Sequence, residues 1–351
     1  MTATMKALAV TDTRTMDLVP LDRPEPGPGE ALVRVAYCGI CGSDFPRYFD
    51  GAVHSFPQTL GHEFSGTVET VGAGVETASP GDRVAVAPLV PCGQCPSCQA
   101  GAPALCNQYS FVGSRQQGGL AEYVVVPARN LVQLPDGVSL RDAALVEPLT
   151  IALHGISRVN LQPGARVAVF GAGVIGLLTV MALKALGAGH VTAIDIQEDK
   201  LVLARELGAD ATVLALGTGI EDHFATEAAP EVCLETAGHP STQTAAVQHC
   251  AKGGSVVFIG TSTRTVSFEP EVFERILRGE LTITGSWMSY SAPFPGAEWT
   301  TAVRLLAEGS VSVEPLVSRV YSLEDGAQAF EDIRDARGQL LKVLYAPGGA
   351  R

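Results

Sequence analysis

The apolar positions of this chain follow two rhythms. Up to about residue 135 they come in short runs cut by Pro and Gly: Lys6-Ala7-Leu8-Ala9-Val10, the alternating Glu30-Ala31-Leu32-Val33-Arg34-Val35-Ala36-Tyr37, Val84-Ala85-Val86-Ala87-Pro88, then 118–127 and 130–135. Alternation of this kind predicts half-buried strands. From 142 to 154 the spacing turns helical, and after Pro163-Gly164 strands and helices take turns. The predicted order is strand 167–170, helix 174–186, strand 191–195, helix 199–207, strand 231–235, helix 241–251, strand 255–260, helix 270–278 and strand 281–285. Such alternation implies a parallel sheet with helices on both faces, the last strand at its edge. Beyond Pro293 the pattern predicts a helix at 299–307, a strand at 316–321, a helix at 323–334 and a closing strand at 342–345, with a Gly-rich tail expected to fray.

A chain of 351 residues is long for one core, and two domains are the natural expectation. The change of rhythm puts one at 1–153 together with 293–351 and the other at 154–292. A net charge of −13 argues against nucleic acid or anionic membrane as partner, because neither gains from a surface without clustered cations. There is no stretch of membrane-spanning length and no basic-then-apolar leader, so the cytoplasm is the expected location. Eight cysteines in a reducing compartment favour metal ligation over disulfides.

The apolar run Val167-Ala168-Val169-Phe170 leads without a break into Gly171-Ala172-Gly173-Val174-Ile175-Gly176 and then into helical spacing. Strand, tight turn and helix in that order are what the pyrophosphate of a dinucleotide needs. Gly171 permits the turn, Gly173 with Val174 and Ile175 offers backbone N–H groups to phosphate, and Gly176 lets the helix pack closely. A second apolar run, His190-Val191-Thr192-Ala193-Ile194, ends in Asp195, about twenty residues on, where an acid holds a ribose diol. The same acid repels a 2′-phosphate, and no Arg follows it closely, so the expected cofactor is NAD.

Two further clusters carry metal chemistry. Cys92, Cys95, Cys98 and Cys106 are spaced C-x2-C-x2-C-x7-C on a Gly/Pro-rich loop, a set that closes around one tetrahedral, structural zinc. Iron–sulfur ligation is disfavoured by the missing Pro after the fourth Cys, and a nucleic-acid zinc ribbon by the absence of Lys and Arg from 91–106. The other cluster gathers Cys41-Gly42-Ser43-Asp44, Gly61-His62-Glu63 and, much later, Glu147. Thiolate, imidazole and carboxylate are the donors of a catalytic zinc that keeps one position open. Cys41, His62 and Glu147 form the expected ligand set, with Glu63 an alternating ligand or an acid behind it. Cys38 and Cys41 also have the spacing of a redox pair, but no thioredoxin-like context surrounds them.

Taken in order, Cys41-Gly42-Ser43-Asp44, Gly61-His62-Glu63, the four-cysteine lobe, Glu147-Pro148 and the glycine motif resemble the zinc-dependent medium-chain alcohol and polyol dehydrogenases over nearly the whole chain. That resemblance implies an α/β chain: a GroES-like β domain interrupted by a Rossmann domain, with two zinc ions and NAD. It implies transfer of hydride from a secondary hydroxyl of a polyol to NAD, with Ser43 relaying the alcohol proton and Asp44 orienting a ligand. Asp44 could also simply cap a helix. Within the family the chain is most similar to dehydrogenases of sugar-alcohol phosphates such as galactitol 1-phosphate, in the runs Cys41 to Arg47, Thr59 to Gly66, Phe111 to Arg115 and Gly285 to Pro293. Sorbitol dehydrogenases, by contrast, typically carry Val-His after the Cys-Gly-Ser-Asp unit and Arg-Tyr where this chain has Trp287-Met288. One departure weakens phosphate recognition: Gln116-Gln117 stand where Arg-Asp is expected, which leaves a plain polyol as the alternative substrate. Arg47 and Arg115 are candidates for gripping a phosphate, and Trp287 and Tyr290 for lining a polyol channel. The rival reading is a dinucleotide-binding sensor, which would need none of the relay residues. A metal-free quinone-reductase-like enzyme would lack both zinc clusters. The exposed sheet edge at 281–285 suggests a homodimer or homotetramer.

Overall fold

The computed structural model describes residues 4–349, so residues 350–351 of the Gly-rich tail lie outside the described residues. The chain divides into two compact units. The first comprises Met1–Glu147, Tyr290–Ala307 and Val313–Arg351; the second comprises Pro148–Ser289 and Glu308–Ser312. These divisions fall a few residues before the expected 153/154 and 292/293. Helix Val146–Ser157 starts in the first unit and continues in the second.

In the first unit, strand Glu30–Gly39 is the hub of a largely antiparallel sheet. It pairs with Glu63–Val71, with Tyr123–Pro127 and with the closing strand Lys342–Tyr345. That last pairing brings the far end of the chain onto the first third of it. Along the hub, Ala31, Val33 and Val35 are buried while Arg34 is exposed, so the alternation seen in the sequence is a real inside–outside alternation. Leu32 is buried as well, on the opposite face. The core gathers Leu8, Val33, Val35, Phe64, Leu120, Phe330 and Tyr345; fully burying each such side chain is worth about 1.5–3 kcal/mol. The two longest strands that the sequence reading missed here are Thr15–Asp22 and Glu63–Val71. The first pairs with Thr4–Asp12 as a hairpin; the second carries Glu63.

The second unit holds a six-stranded parallel sheet. Read across it, the strands are Ala211–Leu214, His190–Asp195, Arg166–Phe170, Val232–Glu235, Ser255–Phe258 and Thr282–Gly285. In sequence order this is the doubly wound arrangement 3-2-1-4-5-6. Val167 to Phe170 are buried throughout, because helices cover both faces of a parallel sheet. Strand Ala211–Leu214 and helix Gly219–Thr226 fall in a stretch where the pattern predicted nothing. The strand is only four residues long, and the helix has no fully buried residue to mark its inner face. The single helix expected at 323–334 is two pieces, Leu323–Asp325 and Gln328–Asp335, parted at Gly326 with φ of 59°. Likewise 142–154 divides into Leu140–Ala143 and Val146–Ser157.

Candidate active site and metal centres

The hub strand ends at Gly39, and the chain turns through Cys41-Gly42-Ser43 into the short helix Asp44–Phe49. The turn is locked from inside. The backbone N–H of Cys41 donates to Asp44 Oδ2 at 3.1 Å, that of Asp44 to the Cys41 carbonyl at 3.0 Å, and that of Ser43 to Cys41 Sγ at 3.5 Å. Asp44 therefore opens the helix and also faces His62, with Oδ1 3.5 Å from His62 Nδ1. That geometry falls short of a hydrogen bond and leaves Nδ1 without a partner. With Nδ1 turned to Asp44, Nε2 is the nitrogen available to a metal. Burial opposes ionisation of Asp44, yet the charges of His62 and Arg47 hold its carboxyl below the ordinary range.

Ligand atoms of Cys41, His62 and Glu63 all lie within 4.8 Å of one another. Glu147 is not in that tight set, although it is buried and feels the charges of His62, Glu63, Lys342 and Asp44. Burial, reinforced by Glu63 and Asp44, pushes its carboxyl up to about 7. Glu63 has a partner the sequence did not reveal: Lys342 donates to Glu63 Oε2 at 2.6 Å and to the Ile40 carbonyl at 3.0 Å, both charged side chains being buried. A lone Lys heading the otherwise apolar, wholly buried strand Lys342–Tyr345 was the available signal.

These donors suit a divalent cation. The acids Asp44, Glu63 and Glu147 gather around Cys41 and His62, with Lys342 and Arg47 as the neighbouring cations. Burial lowers the pKa of His62, but Asp44 and Cys41 outweigh it and draw the pKa well above the ordinary value.

The second cluster is Cys92, Cys95, Cys98 and Cys106, again within 4.8 Å of one another. Cys95 Sγ lies 3.5 Å from Cys98 Sγ, and Cys92 Sγ 4.0 Å from it. Four thiolates around a tetrahedral zinc stand about 3.8 Å apart, given a Zn–S bond of roughly 2.3 Å, so the cradle has the right size. The N–H groups of Cys92 and Cys95 point at Cys106 Sγ and Cys92 Sγ, each at 3.4 Å. The backbone N–H of Cys98 draws the Cys95 thiol down to about 6. A thiolate is therefore ready at neutral pH.

In the second unit the glycine turn has the conformation its residues were expected to impose. Gly171 sits at φ of 98°, where other residues are strained, and Gly173 precedes helix Val174–Ala185, whose first residues are Val174 and Ile175. A Cβ on Gly176 would lie 1.8 Å from the Gly171 carbonyl oxygen and 3.0 Å from Thr236 Oγ1. Gly176 thus lets the helix pack on the turn itself. Asp195 closes the next strand; Oδ2 accepts from Ala172 N at 2.7 Å and Oδ1 from Gln197 N at 3.0 Å. Its carboxylate is held beside the turn.

Two family models match the chain: the alcohol dehydrogenase GroES-like domain over residues 27–136 and the zinc-binding dehydrogenase over residues 174–308. Galactitol 1-phosphate 5-dehydrogenase of Escherichia coli K12 is 43% identical over 322 residues, covering 91% of this chain and 92% of that one. The chain belongs to the zinc-dependent medium-chain alcohol and polyol dehydrogenases. Sorbitol dehydrogenase of Bacillus subtilis is 31% identical, with 98% and 97% of the two chains covered. The crystal structure of galactitol-1-phosphate dehydrogenase from Escherichia coli superposes with a TM-score of 0.93 at 40% identity, covering 98% of this chain and all of the other. This dehydrogenase is accordingly an oxidoreductase that works with zinc and a nicotinamide dinucleotide, and its two parts are a GroES-like domain and a Rossmann domain.

The substrate candidates of this dehydrogenase sit in different settings. Arg47 is turned back on its own helix: Nη1 donates to the Ser43 carbonyl at 2.5 Å, to Ser43 Oγ at 3.1 Å and to Asp44 Oδ1 at 3.2 Å. Arg115 is exposed and lies over the Tyr109 ring, 4.2 Å from its centroid. Gln117, in place of the expected Asp, accepts from Thr59 N at 2.7 Å and so supplies an acceptor such as an Asp would. Gln116 brings no charge. Tyr290 is buried, its ring stacked with Phe294 and Trp299 and its hydroxyl accepting from Leu89 N at 3.1 Å. Trp287 is 55% exposed. Cys38 is fully buried, and burial pushes its thiol pKa well up, which makes it a poor redox partner for Cys41.

Proposed function

We propose that this dehydrogenase oxidises a secondary hydroxyl of galactitol 1-phosphate, or of a closely related sugar-alcohol phosphate, to the ketose phosphate with NAD. The chemistry rests on one observation: the donor side chains of Cys41, His62 and Glu63 converge within 4.8 Å of one another. Cys41, His62 and Glu147 would hold the catalytic zinc, and Cys92, Cys95, Cys98 and Cys106 the structural one. Bound zinc supplies Lewis acidity that lowers the pKa of an alcohol brought to it. Asp44 keeps the His62 ring oriented. Ser43 is exposed, and Arg47 fixes its hydroxyl; it takes the alcohol proton and passes it to water, and bound NAD would supply the acceptor for the hydride of the carbinol carbon. Turnover of Ser43→Ala across pH tests the relay, and an unchanged rate profile removes Ser43 from it.

NAD is favoured over NADP because the Asp195 carboxylate, fixed by two backbone N–H groups, pairs with a ribose diol and repels a phosphate there. The substrate reading draws on the 43% identity with the Escherichia coli enzyme. Arg115 is the phosphate-gripping candidate, since Arg47 is already committed to Ser43 and Asp44. The neutral Gln116-Gln117 pair favours a second reading, a plain polyol. Comparing kcat/KM for galactitol 1-phosphate and galactitol in wild type and Arg115→Ala separates the two: a preference for phosphate that Arg115→Ala erases supports the first, and equal turnover supports the second.

The chain is further proposed to pair as a homodimer along strand Thr282–Gly285, an edge with one neighbour in its sheet, near which Phe273, Leu277 and Trp287 are exposed. A monomeric mass by light scattering would overturn this. Eight unbridged cysteines suit a reducing compartment, the cytoplasm. No helix among the described residues is long and apolar enough to cross a membrane.

A further inference from the structure

The six parallel strands end in loops that share one edge of their sheet, and ligands of such sheets bind outside the carboxyl ends of the strands. Three of those loops are packed into one body. Thr236 Oγ1 donates to the carbonyls of Phe170 and Gly171, both at 3.0 Å, and a Cβ on Gly171 would stand 2.9 Å from that of Ala237. The next loop is joined in turn: a Cβ on Gly260 would lie 2.1 Å from Gly238 N, and one on Gly238 would lie 2.5 Å from the Thr261 carbonyl oxygen. Backbone therefore runs against backbone from the glycine turn to residue 261. Arg264 follows three residues later. Its main chain is closed into a small ring by Ser262, whose Oγ accepts from Arg264 N at 3.3 Å and donates to the Arg264 carbonyl at 3.1 Å.

Charge singles Arg264 out. Residues 171–173, 196–197, 215–218, 236–239, 259–269 and 286–289 lead out of the six strands, and among them Arg264 is the one Lys or Arg. The helix behind the glycine turn has no cation in its first turn either, and Asp195, which accepts from Ala172 N, puts a negative charge there. Arg264 is exposed, and its one side-chain partner among the described residues is His239, with Nη1 3.0 Å from Nε2. A guanidinium only donates, so Nε2 accepts and the ring is neutral, its Nδ1 proton facing Ser241 Oγ at 2.8 Å. The imidazole restrains the guanidinium and leaves its charge uncompensated. We propose that Arg264 is a cofactor-contacting residue, supplying the pyrophosphate of NAD with the positive charge that the glycine turn and its helix lack. The inference rests on the reading of that turn as the pyrophosphate site.

Titration of the full-length protein with NADH and with ADP-ribose reads this without turnover, with melting curves on the same samples. The side chain is exposed, so Arg264→Gln keeps the fold. It is expected to weaken both ligands by about 10- to 100-fold, the worth of one charge-assisted hydrogen bond. ADP-ribose carries the pyrophosphate without the nicotinamide, so an equal loss for both puts the contact on the part they share. Arg264→Lys should bind more tightly than Arg264→Gln because it keeps the charge. Raising salt from about 0.05 to 0.5 M should shrink the gap between wild type and Arg264→Gln, as screening does for an exposed charge. Unchanged NADH affinity in Arg264→Gln overturns the proposal, as do a loss for NADH alone, a Lys variant no better than the Gln variant, or a gap that salt leaves intact. Gly173→Ala distinguishes failure here from failure of the reading beneath it. Affinity lost in Gly173→Ala but kept in Arg264→Gln sinks only the role of Arg264, whereas affinity kept in both removes the pyrophosphate from the turn.

Discussion

Gly173 and Gly176 are three residues apart in one turn, and the structure separates their jobs. At Gly176 an added Cβ meets backbone, 1.8 Å from the Gly171 carbonyl oxygen and 2.8 Å from its carbon, so Gly176→Ala must push helix Val174–Ala185 off the turn. Forcing a methyl into packed structure costs about 1–3 kcal/mol, or roughly 5 °C in melting temperature for a domain of this size. At Gly173 nothing lies within 4 Å of an added Cβ, and φ of −73° with extended ψ suits any residue. Loss of a favourable residue at the helix start and gain in chain stiffness nearly cancel, leaving Gly173→Ala within about 0.5 kcal/mol of wild type. What the new methyl does obstruct is the approach of a pyrophosphate to the N–H groups behind it. Losing one charge-assisted hydrogen bond at about 1.5–3 kcal/mol weakens NADH roughly 10- to 100-fold. NADH titration by fluorescence, with melting curves on the same samples, reads both quantities. Wild-type NADH affinity in a normally stable Gly173→Ala protein, or an unchanged melting temperature in Gly176→Ala, would refute the assignment of the turn to the pyrophosphate and of Gly176 to helix packing.

Three further outcomes are expected. Asp195→Ala should lower kcat/KM for NAD by about 10- to 100-fold, the worth of a charged hydrogen bond, and raise the NADP-to-NAD ratio; an unaltered ratio removes Asp195 from cofactor choice. Cys106→Ser should cost one of two zinc ions per chain by metal analysis and open residues 91–106 to protease, since few of their side chains are buried and they have no core to fall back on; two zinc ions retained would mean the lobe is not a metal site. Burial lowers the pKa of His223 and His249, which flank the Phe224 ring, so the folded state favours neutral imidazoles. The unfolded chain then takes up protons first, and stability, complete above about pH 6.5, falls as pH drops through that value toward the folded pKa. His249→Gln should flatten the decline of melting temperature between about pH 7 and 5, and equal slopes in both proteins would contradict the sign.

The dinucleotide turn was readable because at two of its three glycines the geometry admits no other residue: Gly171 at positive φ and Gly176 against a carbonyl. The four-cysteine lobe was readable because its ligands lie within one loop, so spacing in sequence is nearly spacing in space. In the catalytic cluster Cys41, His62 and Glu63 converge, whereas Glu147, expected as the third ligand, lies outside that tight set; the electrostatics around them could not be read from the sequence. Lys342 and Glu63 are 279 positions apart, and no local pattern brings them together; only the return of the last strand to the hub does. Arg47 was expected to reach for substrate, yet at three and four residues from Asp44 and Ser43 its guanidinium folds back onto its own helix turn, a partner that helical spacing allows. Strand Ala211–Leu214 passed unseen because an edge strand of four residues offers too few positions for a period.

The central claim is that a cation held by Cys41, His62 and Glu147 activates a polyol phosphate for hydride transfer to NAD. The most direct test is NADH formation from galactitol 1-phosphate by the zinc-loaded chain and by Cys41→Ser, with NADH binding measured on both. The account predicts turnover by the former and loss of at least about 100-fold in the latter, as for removal of an electrostatic stabiliser of the transition state, with NADH bound equally well by both. Equal turnover by the two proteins, or no NADH from this or any other polyol with the zinc-loaded chain, would contradict it.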